Sequence, residues 1–165
     1  MNMFSTKKLG LAVLILAMFG ASGSALAATA SGSASATVLA PIAISAGNTL
    51  QFGNFSPVAS GTVIVAAADG GRTATGGVIL AGGTVSAGTF TVTGTGAQTF
   101  AITYPGSVNL SREGGGTMAL QVAGAATGTL SSGTATINVG GTLTVATNQT
   151  AGAYTGSYTM TVEYN

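Results

Sequence analysis

Residues 28–44 alternate between two kinds of side chain. Every even-numbered position is apolar or glycine, whereas the odd positions up to Thr37 are threonine or serine. Because neighbouring side chains of a β-strand point to opposite faces, this pattern predicts a strand with one apolar face. A strand at the start of an exported domain can pair with another molecule, so residues 28–37 are interpreted as an N-terminal extension and candidate donor strand.

The even-numbered positions are predicted to enter the core of a neighbour, although alternation alone leaves the parity open. They are Ala30, Gly32, Ala34, Ala36, Val38 and Ala40. The alternative is that residues 28–37 form an ordinary first strand, or an Ala/Ser leader, of a domain that is complete as a monomer. Position along the chain is what favours the donor interpretation.

The first 27 residues have the organisation of a secretory signal peptide. Lys7 and Lys8 precede the apolar run 9–19, and residues 25–27 read Ala-Leu-Ala, a typical cleavage site. An uncleaved anchor is the alternative, but the apolar run is short for a membrane span. We therefore expect export through the periplasm to the cell surface or the medium, with no membrane insertion after cleavage.

Removing 27 of the 165 residues leaves 138, which is enough for one domain, residues 38–165. That part has two arginines and three acidic residues, a net charge of −1, and so no basic face for nucleic acid. The chain has no histidine and no cysteine. Common nucleophile–base pairs and most transition-metal sites are therefore excluded, and we predict no enzyme activity, catalytic residue, metal or cofactor.

Short β-branched runs separated by glycine-rich links predict an all-β fold, and no segment has sustained helical periodicity. The predicted strands are 38–45, 49–52, 61–66, 77–81, 88–93, 98–104, 117–122, 134–139, 141–145 and 154–164. Their number and spacing favour an antiparallel sandwich. A β-solenoid is the alternative, since Thr91-Val92-Thr93 and Thr142-Leu143-Thr144 resemble the ladders of ice-binding solenoids, but no fixed repeat length accompanies them.

The predicted strand 154–164 mirrors the N-terminal run, with large side chains on one face and mostly threonine on the other. The sequence ends one residue later, so we expect no further segment on its far side. We interpret it as the strand that borders an acceptor groove. The side chains assigned to that groove are Tyr154, Tyr158, Met160, Val162 and Tyr164.

Four stretches carry a family resemblance: ASATVLAPI (34–42), LQFGNF (50–55), VGGTLTV (139–145) and AGAYTG (151–156), the last leading to VEY (162–164). On these residues the chain resembles the DUF4402 family of secreted proteins and, more distantly, spore coat protein U and archaic chaperone–usher pilin subunits. Those pilins usually have a cysteine just after the first strand, where this chain has Ile42.

The resemblance implies an immunoglobulin-like, pilin-like antiparallel β-sandwich that lacks its last strand. In such proteins a chaperone fills the gap until the N-terminal strand of a neighbouring subunit replaces it, which is donor-strand complementation. The implied partners are other copies of the chain, a periplasmic chaperone and an outer-membrane assembly factor.

The remaining charges suggest no catalytic centre. Asp69 and Glu113 lie in glycine-rich loops beside Arg72 and Arg112, and are predicted to form solvated ion pairs; a glycosidase-like carboxylate pair is the alternative. Glu163 belongs to the threonine face of its strand and is expected to be exposed.

The function expected from the sequence is that of an exported structural subunit of a surface fibre, pilus or coat, assembled by donor-strand exchange. The alternative is a monomeric secreted adhesin, or a carbohydrate- or surface-binding module, acting through threonine- and glycine-rich loops. A secreted hydrolase that uses Asp69 and Glu113 is a third hypothesis.

Overall fold

The backbone forms thirteen β-strands and no helix in residues 27–165, the part of the chain that this computed structural model describes. Accordingly, no helix in this part is long and apolar enough to cross a membrane. Residues 27–36 contain no regular secondary structure and their side chains are exposed. All but the last residue of the predicted signal peptide lie outside the described range.

The strands are numbered in chain order. They are β1 (Ala43–Ala46), β2 (Gln51–Phe52), β3 (Phe55–Val65), β4 (Arg72–Leu80), β5 (Val85–Ser86), β6 (Gly88–Thr93), β7 (Thr99–Thr103), β8 (Val108–Arg112), β9 (Thr117–Gly124), β10 (Thr127–Thr129), β11 (Thr134–Val145), β12 (Tyr154–Thr155) and β13 (Thr161–Tyr164).

The larger sheet is organised around β11. Its path runs β1-β6-β11-β9-β8-β12, and β3 joins β11 together with its hairpin partner β4. Val139 of β11 pairs with Gly88 of β6 and also with β9. Gly141 pairs with Val65 of β3 and again with β9. Since a strand has only two edges, β6 and β3 lie one after the other along the same edge of β11.

The smaller sheet has the order β10-β7-β13, and β2 and β5 form a separate short pair. All of these pairings are antiparallel. Apolar side chains from both sheets make one core, whose buried members are Phe52, Val63, Val65, Val78, Val92, Phe100, Ile102, Met118, Leu120, Val122, Leu130, Ile137, Val139, Leu143, Val145, Met160 and Val162.

The fold is therefore an all-β antiparallel sandwich, consistent with the predicted immunoglobulin-like class, and the solenoid alternative is not observed. Alternation explains how the strands find their faces. Along β6, Val92 is fully buried whereas Thr91 and Thr93 remain at least partly exposed. Each buried valine, isoleucine or leucine contributes about 1.5–3 kcal/mol, which offsets the lack of disulfides.

The predicted strand bounds agree best with the observed ones where β-branched residues alternate regularly with other residues. Strand β6 has the predicted bounds, and the two runs 134–139 and 141–145 join into the single strand β11. Strands β5, β8 and β10 were not predicted. The Thr-Gly-Thr sequence of β10 is short and centred on glycine, which weakens its strand signal, and its pairing with Phe100 and its neighbours on β7 provides what the local sequence lacks.

The prediction of a strand over residues 38–45 is wrong for residues 38–42, because only Ala43–Ala46 is a strand and residues 27–42 have no regular structure. The pairing of residues 28–37 with another molecule stays a prediction. Alternation specifies two faces, but a strand forms only where a neighbouring strand satisfies its backbone groups. Strand β1 has such a neighbour in β6.

The prediction of one continuous strand over residues 154–164 is also wrong. Strand β12 pairs with β8 of the larger sheet, whereas β13 pairs with β7 of the smaller one, so the segment crosses between sheets. Gly156 lies in the crossing, where a Cβ would approach the Leu110 side chain to 2.8 Å and the Asn109 carbonyl oxygen to 3.0 Å. Glycine thus permits the close approach at which the ladder ends.

Candidate functional site

Six of the thirteen strands can be assigned to positions of the immunoglobulin sandwich. Strands β1, β6, β11 and β9 follow the order A-B-E-D, and β7 and β13 correspond to C and F. In that pattern a seventh strand, G, pairs with the outer edge of F. Strand β13 pairs with β7 on one edge, and none of the strands in residues 27–165 pairs with its other edge.

Side chains of β13 and the residues before it alternate as the sequence predicts. Met160 and Val162 are buried and Tyr164 is half-buried, whereas Thr161 and Glu163 are exposed. Strand β13 therefore contributes apolar side chains to the core while its outer backbone edge lacks a strand partner. This edge is what an added strand requires.

Tyr164 connects the end of β13 to the residue from which the N-terminal segment departs. Its hydroxyl donates a hydrogen bond to the Ala40 carbonyl at 3.0 Å and accepts one from the Thr95 amide at 2.7 Å. The Ala40 amide in turn donates to Thr95 Oγ1 at 2.6 Å. We call these three residues the Tyr164 clamp. Nothing in the sequence indicates it, because its members are 55 to 124 positions apart.

The remaining aromatic residues assigned to the acceptor groove lie elsewhere. Tyr154 is in β12, where its hydroxyl accepts a hydrogen bond from Gln149 Nε2 at 2.7 Å and donates one to the Thr150 carbonyl at 2.8 Å. Tyr158 packs edge-to-face on Phe90 of β6, with ring centroids 5.9 Å apart. Of the predicted set, only Val162 and Tyr164 belong to β13 itself.

The candidate donor residues fall into two groups. Ala30, Gly32, Ala34, Ala36 and Val38 are all exposed, and Val38 has 93% of its surface accessible. Ala40 differs because both of its backbone groups are bonded in the Tyr164 clamp. The part of the N-terminal segment that could serve as a donor therefore ends before Ala40.

Two partly buried tyrosines, Tyr104 and Tyr158, are expected to make the stability of the domain fall at alkaline pH. Burial raises the pKa of Tyr158 above its usual 10.0. Burial, and secondarily the charge of Tyr158, raises the pKa of Tyr104, whose hydroxyl donates to the Ala125 carbonyl at 2.9 Å. Folding thus favours the protonated phenols of both residues.

A group whose pKa is higher in the folded state contributes stability that is complete below its unfolded pKa and is lost as the pH rises through the folded pKa. We expect the tyrosine contribution to the free energy of unfolding to be constant up to about pH 10 and to fall above it. Denaturant unfolding as a function of pH measures this. The double variant Tyr104→Phe/Tyr158→Phe should show a smaller alkaline decline, and an unchanged decline would contradict the assignment.

The predicted loop ion pairs are not formed among the described residues. Asp69 Oδ1 accepts a hydrogen bond from the Gly71 amide at 2.8 Å. The Arg72 guanidinium turns to backbone carbonyls and donates from Nη1 to Phe52 at 2.7 Å and to Asn54 at 3.1 Å. Arg72 thus joins the loops at both ends of the β3–β4 hairpin.

The surroundings of Arg112 likewise contain no ion pair among the described residues. Arg112 Nη2 lies 3.4 Å from the Gly114 carbonyl, while its buried Nε lacks a hydrogen-bond partner in the described part of the chain. No group of three histidine, cysteine, aspartate or glutamate side chains within residues 27–165 could hold a metal ion.

A cavity lies between the smaller sheet and the first half of β11. Its volume is about 390 Å³. It is lined by both apolar and polar residues, among them Phe100, Ile102, Ile137, Thr127, Thr129 and Asn138. The size and mixed lining suit a small uncharged molecule.

Comparison with protein families gives one match. The family model described as "Domain of unknown function (DUF4402)" matches residues 42–164, which include β1 through β13 and exclude the exposed N-terminal segment. Comparisons with curated proteins and with solved structures gave no significant match.

Proposed function

The chain belongs to the DUF4402 family, whose model matches 123 of its 165 residues, and we propose that it is an exported structural subunit of a surface fibre, pilus or coat that assembles by donor-strand exchange. The observation that carries the proposal is the outer edge of β13, which lacks a strand partner among the described residues. The resemblance to spore coat protein U and archaic pilin subunits is part of this proposal.

The outer edge of β13 is suited to pair with an extended strand. Exposed backbone amides and carbonyls on an edge strand pair readily with another extended chain, and proteins ordinarily protect such edges. Glu163 is the only charged residue on β13. An added strand there would complete the A-B-E-D and C-F-G order of the immunoglobulin sandwich.

The N-terminal segment has the properties of that partner. No charged residue occurs between Lys8 and Asp69, so residues 28–38 can be buried without burying a charged side chain. Eleven extended residues span roughly 36 Å, much more than the length of β13. Alternating small and hydroxyl side chains let one face enter a core while the other remains in water.

The energy of strand addition is sufficient for assembly. Burying Val38 contributes about 1.5–3 kcal/mol. Each backbone hydrogen bond along the new ladder adds about 0.5–1.5 kcal/mol. A few such bonds together with Val38 approach the whole stability of a small domain, about 5–15 kcal/mol.

The Tyr164 clamp determines where the donor segment begins. Because Ala40 is held against Tyr164, the segment leaves its own domain at the end of β13. Residues preceding Ala40 remain available to the next subunit. Each subunit would then give one strand and receive one, a head-to-tail contact that generates a linear fibre.

The outer edge of β13 also indicates which assembly partners the subunit would need. A subunit awaiting its neighbour would expose β13, so a periplasmic chaperone that supplies a temporary strand, and an outer-membrane factor that exchanges it, are the proposed assembly partners. The low charge provides no face for nucleic acid.

The direct test replaces Val38, an exposed residue of the donor segment, by aspartate. Val38→Asp should reduce fibre yield by about ten-fold or more, since a charge would have to enter the neighbour's core. Val58→Asp is the matched control, because Val58 is also exposed, 69% accessible, but lies on the β3–β4 hairpin. Fibres are quantified by electron microscopy and by boiling-resistant ladders in gels. Equal yields from both variants would disprove the donor role of Val38.

The second candidate is a monomeric adhesin or carbohydrate-binding module, and the cavity beside Phe100 favours it. The threonines of its lining could hydrogen-bond a neutral ligand. This function predicts that purified protein stays monomeric by size-exclusion chromatography and binds reproducibly to a glycan array. Replacing Gly128 by Val should then block binding, because a side chain there would overlap the Phe100 ring and displace it from its position in the cavity lining.

A further inference from the structure

The outward face of the larger sheet carries no charged and no aromatic side chain. Its twenty residues alternate with the core residues along β1, β3, β4, β6, β8, β9 and β11. They are Ala43, Ser45, Thr62, Ile64, Thr73, Thr75, Thr89, Thr91, Thr93, Asn109, Ser111, Thr117, Ala119, Gln121, Ala123, Thr134, Thr136, Asn138, Thr142 and Thr144. None of the five charged residues in 28–165 lies on this face.

Threonines on this face are aligned across strands. Thr91 pairs with Thr136, and Thr93 pairs with Thr134, between β6 and β11. Ser45 of β1 extends the first row on the other side of Thr91. Neighbouring strands are about 4.8 Å apart and alternate residues along a strand about 6.8 Å apart, so the hydroxyls form a two-dimensional lattice. We call the four paired threonines the Thr lattice.

The hydroxyls of the Thr lattice are available to solvent. None of the four makes a side-chain hydrogen bond within residues 27–165, in contrast to Thr62 and Thr75, whose hydroxyls bond each other at 2.7 Å. Thr93, Thr134 and Thr136 are exposed and Thr91 is partly exposed. Restricted χ1 rotamers of the β-branched side chain hold each hydroxyl and methyl group in a fixed direction.

We propose that the Thr lattice binds ice. A rigid array of hydroxyls orders water at the spacing of the strands, and methyl groups between them favour a cage-like first layer. The distance between strands is close to one lattice repeat of the prism face of hexagonal ice. The lack of aromatic rings disfavours crystalline polysaccharide, since sugar rings stack on aromatic side chains, and the lack of charge matches an uncharged surface.

Sheet twist limits the size of the site. Adjacent strands rotate by about 20–25°, so the lattice matches a flat surface over two or three strands only. A single domain should therefore slow ice recrystallisation rather than stop crystal growth. Repetition of the site along a fibre would increase the effect through multivalency, although the binding of one domain does not depend on fibre formation.

Ice recrystallisation inhibition and partition into a growing ice shell test the proposal on the exported full-length protein. The wild type should keep ice grains small and concentrate in the ice. Thr91→Lys and Thr136→Lys should each abolish both effects. Thr103→Lys, at an exposed threonine of β7 in the smaller sheet, should retain them. Circular dichroism and the melting temperature establish that all three variants fold.

Three results would overturn the proposal. The first is wild-type protein that behaves like an equal mass of serum albumin in both ice assays. The second is equal loss of activity in Thr103→Lys. The third is retention on crystalline cellulose or chitin without partition into ice, which would assign the face to a polysaccharide. The same assays on a chain lacking residues 28–37 separate this site from strand exchange.

Discussion

Deletion of residues 28–37 is expected to abolish fibre formation while leaving an exported and folded subunit. The deleted residues are exposed and contain no strand, so their loss removes no core contact. The Tyr164 clamp remains, since Ala40 and its hydrogen bonds lie beyond the deletion. Electron microscopy should show no regular fibres, and size-exclusion chromatography should show monomer or a chaperone complex.

The same deletion should act as a chain terminator when expressed with the wild type. A subunit without a donor segment still presents the β13 edge, so it can accept a strand but cannot give one. Fibres should shorten as the proportion of the deletion variant rises. Fibres of unchanged length and number, with the variant present in the same compartment, would exclude donor-strand exchange through residues 28–37.

Local alternation was sufficient to predict much of the sandwich. In β6, β9 and β11 every second residue is apolar or glycine, and these strands form the centre of the larger sheet with that face turned to the core. The alternation of Met160, Val162 and Tyr164 likewise gave the correct buried face. Burial decides these faces, and burial follows the identity of residues close together in the chain.

What the sequence did not reveal depends on pairing between distant segments. The segment after Tyr154 leaves one sheet for the other because β8 and β7, each more than forty residues earlier, offer separate edges. The Tyr164 clamp unites backbone and side-chain groups of three residues that share no motif. Predicted loop ion pairs failed for a related reason, since nearby backbone groups hydrogen-bond Asp69 and Arg72 more directly.

Gly140 is the point at which the two halves of the larger sheet meet. It lies in β11 between the residues that pair with β6 and those that pair with β3. By parity its side chain would face outward with the threonines, yet it is buried, because the chain leaving β3 crosses directly over it. A Cβ there would lie 2.5 Å from the Ala67 amide nitrogen and 2.9 Å from the Ala66 carbonyl carbon.

Gly140→Ala is therefore expected to destabilise the domain by about 1–3 kcal/mol, because backbone atoms cannot yield as a flexible side chain can. For a domain of this size the melting temperature should fall by roughly 5–15 °C. Gly82→Ala is the matched control: nothing lies within 4 Å of its Cβ position, so the change should stay within about 0.5 kcal/mol. Thermal and denaturant unfolding measure both variants. Equal stability of Gly140→Ala and the wild type would mean that the backbone following β3 can move away from β11 without loss of stability. The sheet would then not depend on the close approach at Gly140 for the succession of β6 and β3 along one edge.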